Sequence, residues 1–276
     1  MRQRVITAII AIPIACFLVR RGGIFCALGV ALLVFVSWRE YKNMLLQKGY
    51  HVYYLTGCLP ALLLVVAAAL GKLTLWGVPL LTITILAIML EALVNHARGQ
   101  WAFEMALTSG GVLYIGLLFA HFILLRNITG ASYTTGLIGT MSLGEALLWI
   151  VMLGTWSSDT FAYIFGCTFG KHKLMPAVSP KKSVEGAVAG FIGCILVIVL
   201  LGCYCLSFTI VQVLPLGLLV AIFAPLGDLV ESILKRFCAI KDSGNFFPGH
   251  GGVLDRCDSL LFAIPLAYYY IEFFLL

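Results

Sequence analysis

The sequence predicts an all-α, polytopic integral membrane protein with about eight or nine transmembrane helices. Hydrophobic residues make up 62% of the 276 positions and charged residues only 11%. The mean hydropathy is +1.05, far from the balance of a soluble domain. Long apolar runs also recur along the chain, and a helix needs about 20 mostly apolar residues to cross a hydrocarbon core about 30 Å thick.

Nine apolar runs are the candidate helices. In chain order they cover approximately residues 5–19, 23–38, 52–71, 73–94, 103–125, 142–169, 186–206, 208–230 and 259–275. The first two are short enough that one of them need not span fully. The basic start with its short apolar core is typical of a signal peptide, but Arg20 and Arg21 follow where a cleavage site needs small residues, which favours an uncleaved helix.

The charge pattern indicates membrane topology rather than nucleic-acid binding. The formal charge is +6, and the Lys and Arg residues lie almost entirely between the apolar runs. Basic residues that flank membrane helices mark cytoplasmic loops. A nucleic-acid-binding protein would need a basic stripe on a soluble face, so we expect no nucleic-acid partner.

Acidic residues are concentrated in the second half of the chain. Residues 1–140 contain three glutamates and no aspartate, whereas residues 141–276 contain the other nine acidic residues, including every aspartate. Ionisable residues within membrane segments are costly and usually functional. The sequence therefore predicts an N-terminal transmembrane scaffold over residues 1–140 and a catalytic region over residues 141–276.

Two polar loops in the catalytic region are expected to meet at one membrane face. They cover residues 170–186 and 231–258, and two apolar runs between them return the chain to the same side. Their basic residues place that face in the cytoplasm, where soluble nucleotides could reach it. These residues are Lys171, Lys173, Lys181, Lys182, Lys235, Arg236, Lys241 and Arg256.

A polar stripe precedes the second loop. Asp228, Glu231, Ser232 and Lys235 have the spacing of one continuous helix face. Such a stripe indicates a functional surface inside the membrane. The alternative is a helix that leaves the bilayer with weak ion pairs at its wet end.

The second loop combines a glycine-rich turn with charged residues. Its glycines allow positive φ angles, and successive amides in such turns form anion-binding nests. Asp255 and Asp258 follow, three residues apart at the start of the last helix. Paired carboxylates near a phosphate site suit Mg²⁺. Helix capping by Asp255 is the alternative, although it would account for only one of the two aspartates.

The first loop contains SPKKSVEG from Ser179 to Gly186. Lys181 and Lys182 are candidate triphosphate ligands beside the positive end of the next helix, with a simple membrane anchor as the alternative. Asp159 lies inside an apolar run, about 18 Å from Lys171 along a helix, where it could line a wet cavity.

The segment from Ser232 to Asp258 resembles the signature of the phosphatidate cytidylyltransferases, or CDP-diacylglycerol synthases. That signature reads S-x-x-K-R, four residues, K-D, then a Gly/Pro stretch with P-x-H-G-G and D-R-x-D. The upstream segments DTFAYIFG and SPKKSVEG resemble a second block of the family, so the resemblance covers roughly residues 150–262. Two departures are Cys257, in place of an aliphatic residue or Thr, and SPKKSVEG in place of SPKKTWEG.

The resemblance implies an enzyme that transfers CMP from CTP to phosphatidic acid and produces CDP-diacylglycerol and pyrophosphate with Mg²⁺. It implies a nine-helix membrane protein, usually a homodimer, in the cell's inner membrane among its lipids. Asp228 and Asp255 are then the expected metal ligands, with Asp258 supporting, and a second cation is left open. The expected catalytic residues are Asp228, Lys235, Arg236, Lys241, Asp255 and Arg256. The expected substrate-binding residues are Asp159, Lys171, Ser179, Lys181, Lys182, Ser183, Glu185, Ser232, His250, Gly251 and Gly252.

Two other functions remain open at this stage. A related membrane enzyme, either a lipid kinase or a cytidylyltransferase with another lipid acceptor, would share the metal and triphosphate groups. A transporter of an anionic metabolite is the alternative from a different class. A transporter would place its charges near mid-membrane on broken paired helices, whereas most charges here lie in loops on one face.

Overall fold

A computed structural model of the chain describes residues 2–135 and 139–276 and is predominantly helical. The helices are α1 (Arg2–Arg21), α2 (Gly23–Gln47), α3 (Tyr54–Ala69), α4 (Leu73–Val94), α5 (Trp101–Gly111), α6 (Leu118–Arg126), α7 (Leu143–Phe169), α8 (Val184–Leu206), α9 (Ile210–Phe237) and α10 (Leu254–Tyr270). A π-helical turn, Val112–Leu117, joins α5 to α6, and a second one, Ile271–Leu275, follows α10. A short 3₁₀ helix covers His96–Arg98. The predicted all-α class is confirmed.

Two small antiparallel hairpins are the only strands in the described part of the chain. One pairs β1 (Ser132–Thr135) with β2 (Gly139–Ser142). The other pairs β3 (Lys173–Met175) with β4 (Ser179–Ser183) inside the first predicted loop. The hydropathy pattern gave no signal for either hairpin, because both are short and polar.

Six helical segments within the described residues are long and apolar enough to cross a membrane. They are Gly23–Gln47, Leu73–Val94, Trp101–Arg126, Val184–Leu206, Ile210–Phe237 and Leu254–Leu275. Helix α3 is apolar but shorter. The helices fall on all nine predicted runs, whereas the count of eight or nine spans stays a prediction.

Both predicted polar loops are shorter than expected. Helix α9 continues to Phe237 and α10 begins at Leu254, so the second loop covers residues 238–253. Likewise α8 begins at Val184. Hydropathy placed these boundaries too far into the helices, because the helix ends carry the polar residues of the candidate site.

The chain divides into two compact units. Unit 1 comprises Met1–Leu124 and Lys235–Arg256, and unit 2 comprises Leu125–Leu234 and Cys257–Leu276. The glycine-rich loop therefore packs with the N-terminal helices in unit 1. Each unit contains its own group of candidate site residues.

Close helix packing in unit 1 centres on Trp38 of α2. This side chain is fully buried, and a Cβ atom at Gly57 of α3 would collide with its indole ring. A Cβ atom at Gly111 of α5 would come within 3.0 Å of the same ring. Glycine at both positions lets α3 and α5 approach α2, which fixes the helix that carries Glu40.

Glycines also set the packing of α7 against α8 in unit 2. A Cβ atom at Gly186 would lie 2.6 Å from the main-chain oxygen of Ala162, and one at Gly190 would lie 2.7 Å from that of Ser158. Small residues allow such backbone approach between membrane helices. This packing fixes the start of α8 and the hairpin that precedes it.

Candidate functional site

The polar stripe on α9 forms as predicted. Asp228, Glu231, Ser232 and Lys235 all lie on this one helix. The Ser232 hydroxyl donates to Asp228 Oδ1 at 3.3 Å. Glu231 has no exposed surface, and Ser232 is also buried. Glu231 and Ser232 of the stripe therefore face the protein interior. A helix end that carries solvated ion pairs would instead expose these side chains.

Three carboxylates of unit 2 lie close together. Asp228, Glu231 and Asp258 each place a carboxylate oxygen within 4.8 Å of the others, and we call this group the carboxylate cluster. Gly227 makes room for it, since a Cβ atom there would collide with the main-chain oxygen of Asp258. Three oxygen ligands of this kind suit a hard divalent cation. Asp228 and Asp258 were predicted metal ligands, whereas Glu231 was noted only as part of the stripe.

Lys182 brings a positive charge to the cluster. Its Nζ lies 2.6 Å from Asp228 Oδ2, and both side chains are about one quarter exposed (27% and 28%). Strand β4 holds Lys182 there, since its hairpin partner pairs Lys173 with Ser183. The structure therefore brings one of the two predicted loop lysines to Asp228, while Lys181 is exposed.

The other predicted residues of this loop hold the hairpin and the start of α8. Ser183 caps α8 by accepting the N–H of Gly186 at 3.2 Å. Glu185 accepts the main-chain N–H groups of Lys171 and His172 at 3.1 and 3.2 Å, and it contacts His172 Nδ1 at 2.6 Å. Ser183 and Glu185 therefore make hydrogen bonds within the hairpin segment and at the start of α8. Their substrate-binding role stays a prediction.

The second loop turns tightly between Phe247 and Gly251. The Phe247 N–H donates to the Gly251 carbonyl at 2.9 Å, and Gly249 and Gly251 have φ angles of +79° and +87°. These angles favour glycine. Arg256 Nε donates to the His250 carbonyl at 2.9 Å. Arg256 and the His250 backbone thereby support the turn.

Asp255 is the best-connected carboxylate of unit 1. Its Oδ1 lies 2.7 Å from Lys235 Nζ. Its Oδ2 accepts the N–H groups of Ser243 and Gly252 at 2.8 Å each, and the Ser243 hydroxyl at 2.9 Å. The bond from Gly252, two residues before α10 begins, joins the end of the glycine-rich loop to Asp255. Lys235 and Asp255, each predicted as a catalytic residue, thus form a buried ion pair with each other.

Glu40 of α2 also contacts the glycine-rich loop, which the sequence did not predict. Its carboxylate accepts the N–H groups of Val253 and Leu254 at 2.9 and 3.0 Å. Glu40 and Ser243 line a cavity of about 460 Å³ together with Asp242, Asn245 and residues of α2. A residue of the predicted N-terminal scaffold therefore contacts the glycine-rich loop.

The remaining predicted residues lie at the surface of their units. Asp159 on α7 is exposed and lies outside the carboxylate cluster. The other exposed residues of the predicted site are Lys171, Lys181, Arg236, Lys241 and Arg256. Ser179 begins β4 and is half-buried. Exposed cations of this kind can attract an anionic substrate before it binds.

Cys238 directly follows α9 and is buried. Burial raises the pKa of its thiol, and the ammonium of Lys48 offsets this only in part. Because an ordinary thiol is already protonated at neutral pH, Cys238 stays protonated and is a poor nucleophile.

These features define an integral membrane protein with a carboxylate cluster and a glycine-rich loop flanked by Lys and Arg residues. The chain matches the sequence model described as the Cytidylyltransferase family over residues 2–274. The chain belongs to this family.

Relatives named phosphatidate cytidylyltransferase match over almost the whole chain. The protein from Staphylococcus saprophyticus is 33% identical over 271 residues, covering 96% of this chain and 97% of the relative. The Staphylococcus haemolyticus protein is 33% identical over 270 residues, with the same coverage. The Staphylococcus aureus (strain COL) protein is 31% identical over 271 residues, also covering 96% and 97%.

Proposed function

We propose that the chain transfers CMP from CTP to phosphatidic acid and releases CDP-diacylglycerol and pyrophosphate. The observation that carries the proposal is the carboxylate cluster with Lys182 at its edge, in a chain that belongs to this family from residue 2 to residue 274. The names of the relatives supply the two substrates. The apolar helices keep the protein in the bilayer, where a lipid substrate already resides.

The cluster fits a divalent cation, which we propose to be Mg²⁺. Asp228, Glu231 and Asp258 would hold it, because their oxygens lie within 4.8 Å of one another and carboxylates are the ligands that Mg²⁺ prefers. When bound, the cation would offset negative charge on the substrate phosphates. The roles of Asp255 as a further ligand and of a second cation stay predictions.

The chain's own residues have mainly to position two anions. The phosphate of phosphatidic acid has a second pKa of about 6, so it is largely dianionic at neutral pH and needs no general base. Its oxygen would form the new bond to the α-phosphorus of CTP while the bond to the β-phosphate oxygen breaks, and pyrophosphate leaves with that electron pair. We assign phosphate binding to Lys182, because its Nζ lies at the cluster and its side chain is partly exposed.

Exposed cations in and beside the two loops would attract the triphosphate. Lys171, Lys181, Lys241 and Arg256 are all exposed, as is Arg236, whose guanidinium donates to the Ile240 carbonyl at 3.2 Å. Charge of this kind speeds the encounter with anions. We propose that these residues face the cytoplasm, where CTP is found, as the positive-inside bias predicts. Trypsin should then cleave after Lys241 in inside-out vesicles and leave it intact in sealed vesicles of the opposite orientation.

An activity assay tests the proposal. Purified protein in detergent is incubated with labelled CTP and phosphatidic acid, with and without Mg²⁺, and the lipid product is separated. Asp255→Ala is compared with Glu272→Ala, which removes an exposed carboxylate near the end of the chain. We expect CDP-diacylglycerol from the wild-type protein and from Glu272→Ala only, and only when Mg²⁺ is present. A folded, metal-loaded wild-type protein without product would refute the proposal.

Two changes of the lipid substrate in the same assay, together with a transport assay, separate the alternative functions. Diacylglycerol in place of phosphatidic acid would be phosphorylated by a lipid kinase, and other phospholipid acceptors would reveal a different cytidylyltransferase. Uptake of labelled nucleotide into proteoliposomes would indicate transport. The homodimer that the family resemblance implies is also a proposal, and light scattering in detergent would give twice the mass of one chain.

A further inference from the structure

Glu40 is a buried carboxylate that joins α2 to the start of α10. Only 6% of the residue is exposed. Its Oε1 accepts the N–H of Val253 at 2.9 Å, and its Oε2 accepts that of Leu254 at 3.0 Å. These N–H groups lie at the helix N-terminus, where no helical carbonyl is available to accept them. Glu40 thus provides from another helix the acceptor that an N-cap side chain normally provides.

The glycine-rich loop closes directly on this carboxylate. A Cβ atom at Gly244 would lie 2.6 Å from Glu40 Oε1, and one at Gly252 would lie 2.6 Å from both oxygens. A side chain at either glycine would therefore displace the carboxylate or the loop. Gly244 and Gly252 thus hold two points of the loop directly against Glu40.

Ser243 connects Glu40 to Asp255. Its hydroxyl oxygen lies 3.4 Å from Glu40 Oε2 and 2.9 Å from Asp255 Oδ2. A hydroxyl has one proton, so it can serve only one carboxylate at a time, and the shorter distance favours Asp255. The N–H groups of Ser243 and Gly252, which also bind Asp255, both belong to the glycine-rich loop. Movement of this loop would therefore reorient Asp255.

We propose that Glu40 is a positioning residue of the transferase, which holds the glycine-rich loop so that Asp255 and its partner Lys235 keep their orientation. The effect on rate rests on the proposed function, whereas the effect on the loop does not. A carboxylate can accept two N–H groups with its two oxygens. The carboxamide of Glu40→Gln has one oxygen and an NH₂ group, so one buried N–H would lose its acceptor.

Steady-state kinetics test the effect on rate. We expect Glu40→Gln to lower kcat about 10- to 100-fold, as is typical of residues that orient a site, with KM for CTP and for phosphatidic acid changed less than about threefold. Glu40→Asp keeps the charge but is one methylene shorter, so its kcat should lie between those of Glu40→Gln and the wild-type protein. The control is Glu104→Gln, because Glu104 is equally buried in unit 1 and accepts the N–H of His51 at 3.3 Å. Its kcat should stay within about twofold of wild type.

A double variant tests whether Glu40 acts through Ser243. Effects of residues in one hydrogen-bond network are not additive. Glu40→Gln combined with Ser243→Ala should therefore be no slower than the slower of the two single variants, within about twofold. A multiplicative loss would contradict a shared route to Asp255.

Hydrogen–deuterium exchange tests the effect on the loop without any substrate. We expect the amides of Val253 and Leu254 to exchange about ten times faster, or more, in Glu40→Gln than in the wild-type protein or in Glu104→Gln. Unchanged exchange would overturn the proposal, whatever the activity. Faster exchange with unchanged kcat, or with a change in KM alone, would leave Glu40 a structural residue and also overturn it. An inactive wild-type protein would refute the proposed function, and the exchange measurement would still decide whether Glu40 holds the loop.

Discussion

The ion pair between Lys235 and Asp255 offers a direct test of how unit 1 holds its part of the site. The perturbation is Lys235→Met, which removes the charge but keeps a long side chain. The Lys235 and Asp255 side chains are only 10% and 6% exposed. Loss of the ammonium therefore leaves a carboxylate that water cannot readily solvate.

The expected size of the effect follows from the geometry. Two charges 2.7 Å apart attract by about 6 kcal/mol at an effective dielectric constant of about 20, before the cost of their desolvation. Removal of one partner of a buried pair typically costs about 3–5 kcal/mol. Asp255 keeps three hydrogen bonds from Ser243 and Gly252, all to Oδ2. We therefore expect a loss of about 3 kcal/mol, at the lower end of that range.

A double variant makes the prediction specific. Asp255→Asn can keep its oxygen at the Oδ2 position and place its NH₂ group where Lys235 Nζ contacted Oδ1. Because neither residue would then carry a charge, Lys235→Met with Asp255→Asn should be less destabilised than Lys235→Met alone, by about 2 kcal/mol. The free energy of unfolding would be measured by titration with SDS in mixed micelles. If the two single effects add within about 0.5 kcal/mol, the pair is not coupled and the reasoning is wrong.

Three further changes test other contacts of the site. Gly252→Ala should cost about 1–3 kcal/mol of unfolding free energy, because its Cβ would meet the Glu40 carboxylate at 2.6 Å. Gly110→Ala, at a position with open space, should cost nothing measurable in the same SDS titration. Lys182→Ala should lower kcat/KM for CTP about 10- to 100-fold in steady-state kinetics, because Lys182 lies 2.6 Å from Asp228. Lys181 is exposed, and Lys181→Ala should lower kcat/KM less than about threefold. Equal losses in the two variants would contradict the assignment of phosphate binding to Lys182. Glu231→Gln should raise the Mg²⁺ concentration for half-maximal activity about tenfold, and it should reduce the rise in melting temperature on addition of Mg²⁺. If both values are unchanged, Glu231 is not a ligand of the metal site.

Apolar runs were sufficient to locate the helices but not their polar ends. The predicted run 73–94 coincides with α4, Leu73–Val94, because both ends of that helix meet short polar turns. By contrast, the last apolar run begins at residue 259, whereas α10 begins at Leu254. Its first turn carries Asp255 and Arg256, and a hydropathy profile cannot distinguish polar helix residues from a loop.

The spacing in the sequence indicated which charged residues share a helix face, but not which residues they contact. The helical spacing of Asp228 and Glu231 was visible, since both lie on one helix face. Glu40 was not, because it contacts Leu254 across 214 positions and no local pattern encodes such a contact. Its position on α2, two residues after the buried Trp38, gave no signal of its own. Only tertiary packing brings that carboxylate to the loop.

The two ion pairs of the site differ in exposure, which suggests different tasks for their lysines. Lys235 and Asp255 are almost fully buried, so neither can exchange its partner for a substrate group without a large desolvation cost. Lys182 and Asp228 are about one quarter exposed. A phosphate bound to Lys182 and a divalent cation bound to Asp228 would each replace the present partner by an equivalent charge, so the net electrostatic cost of separating this pair is small. The buried pair is therefore suited to hold a fixed geometry, and the exposed pair to open when both the nucleotide and the cation arrive.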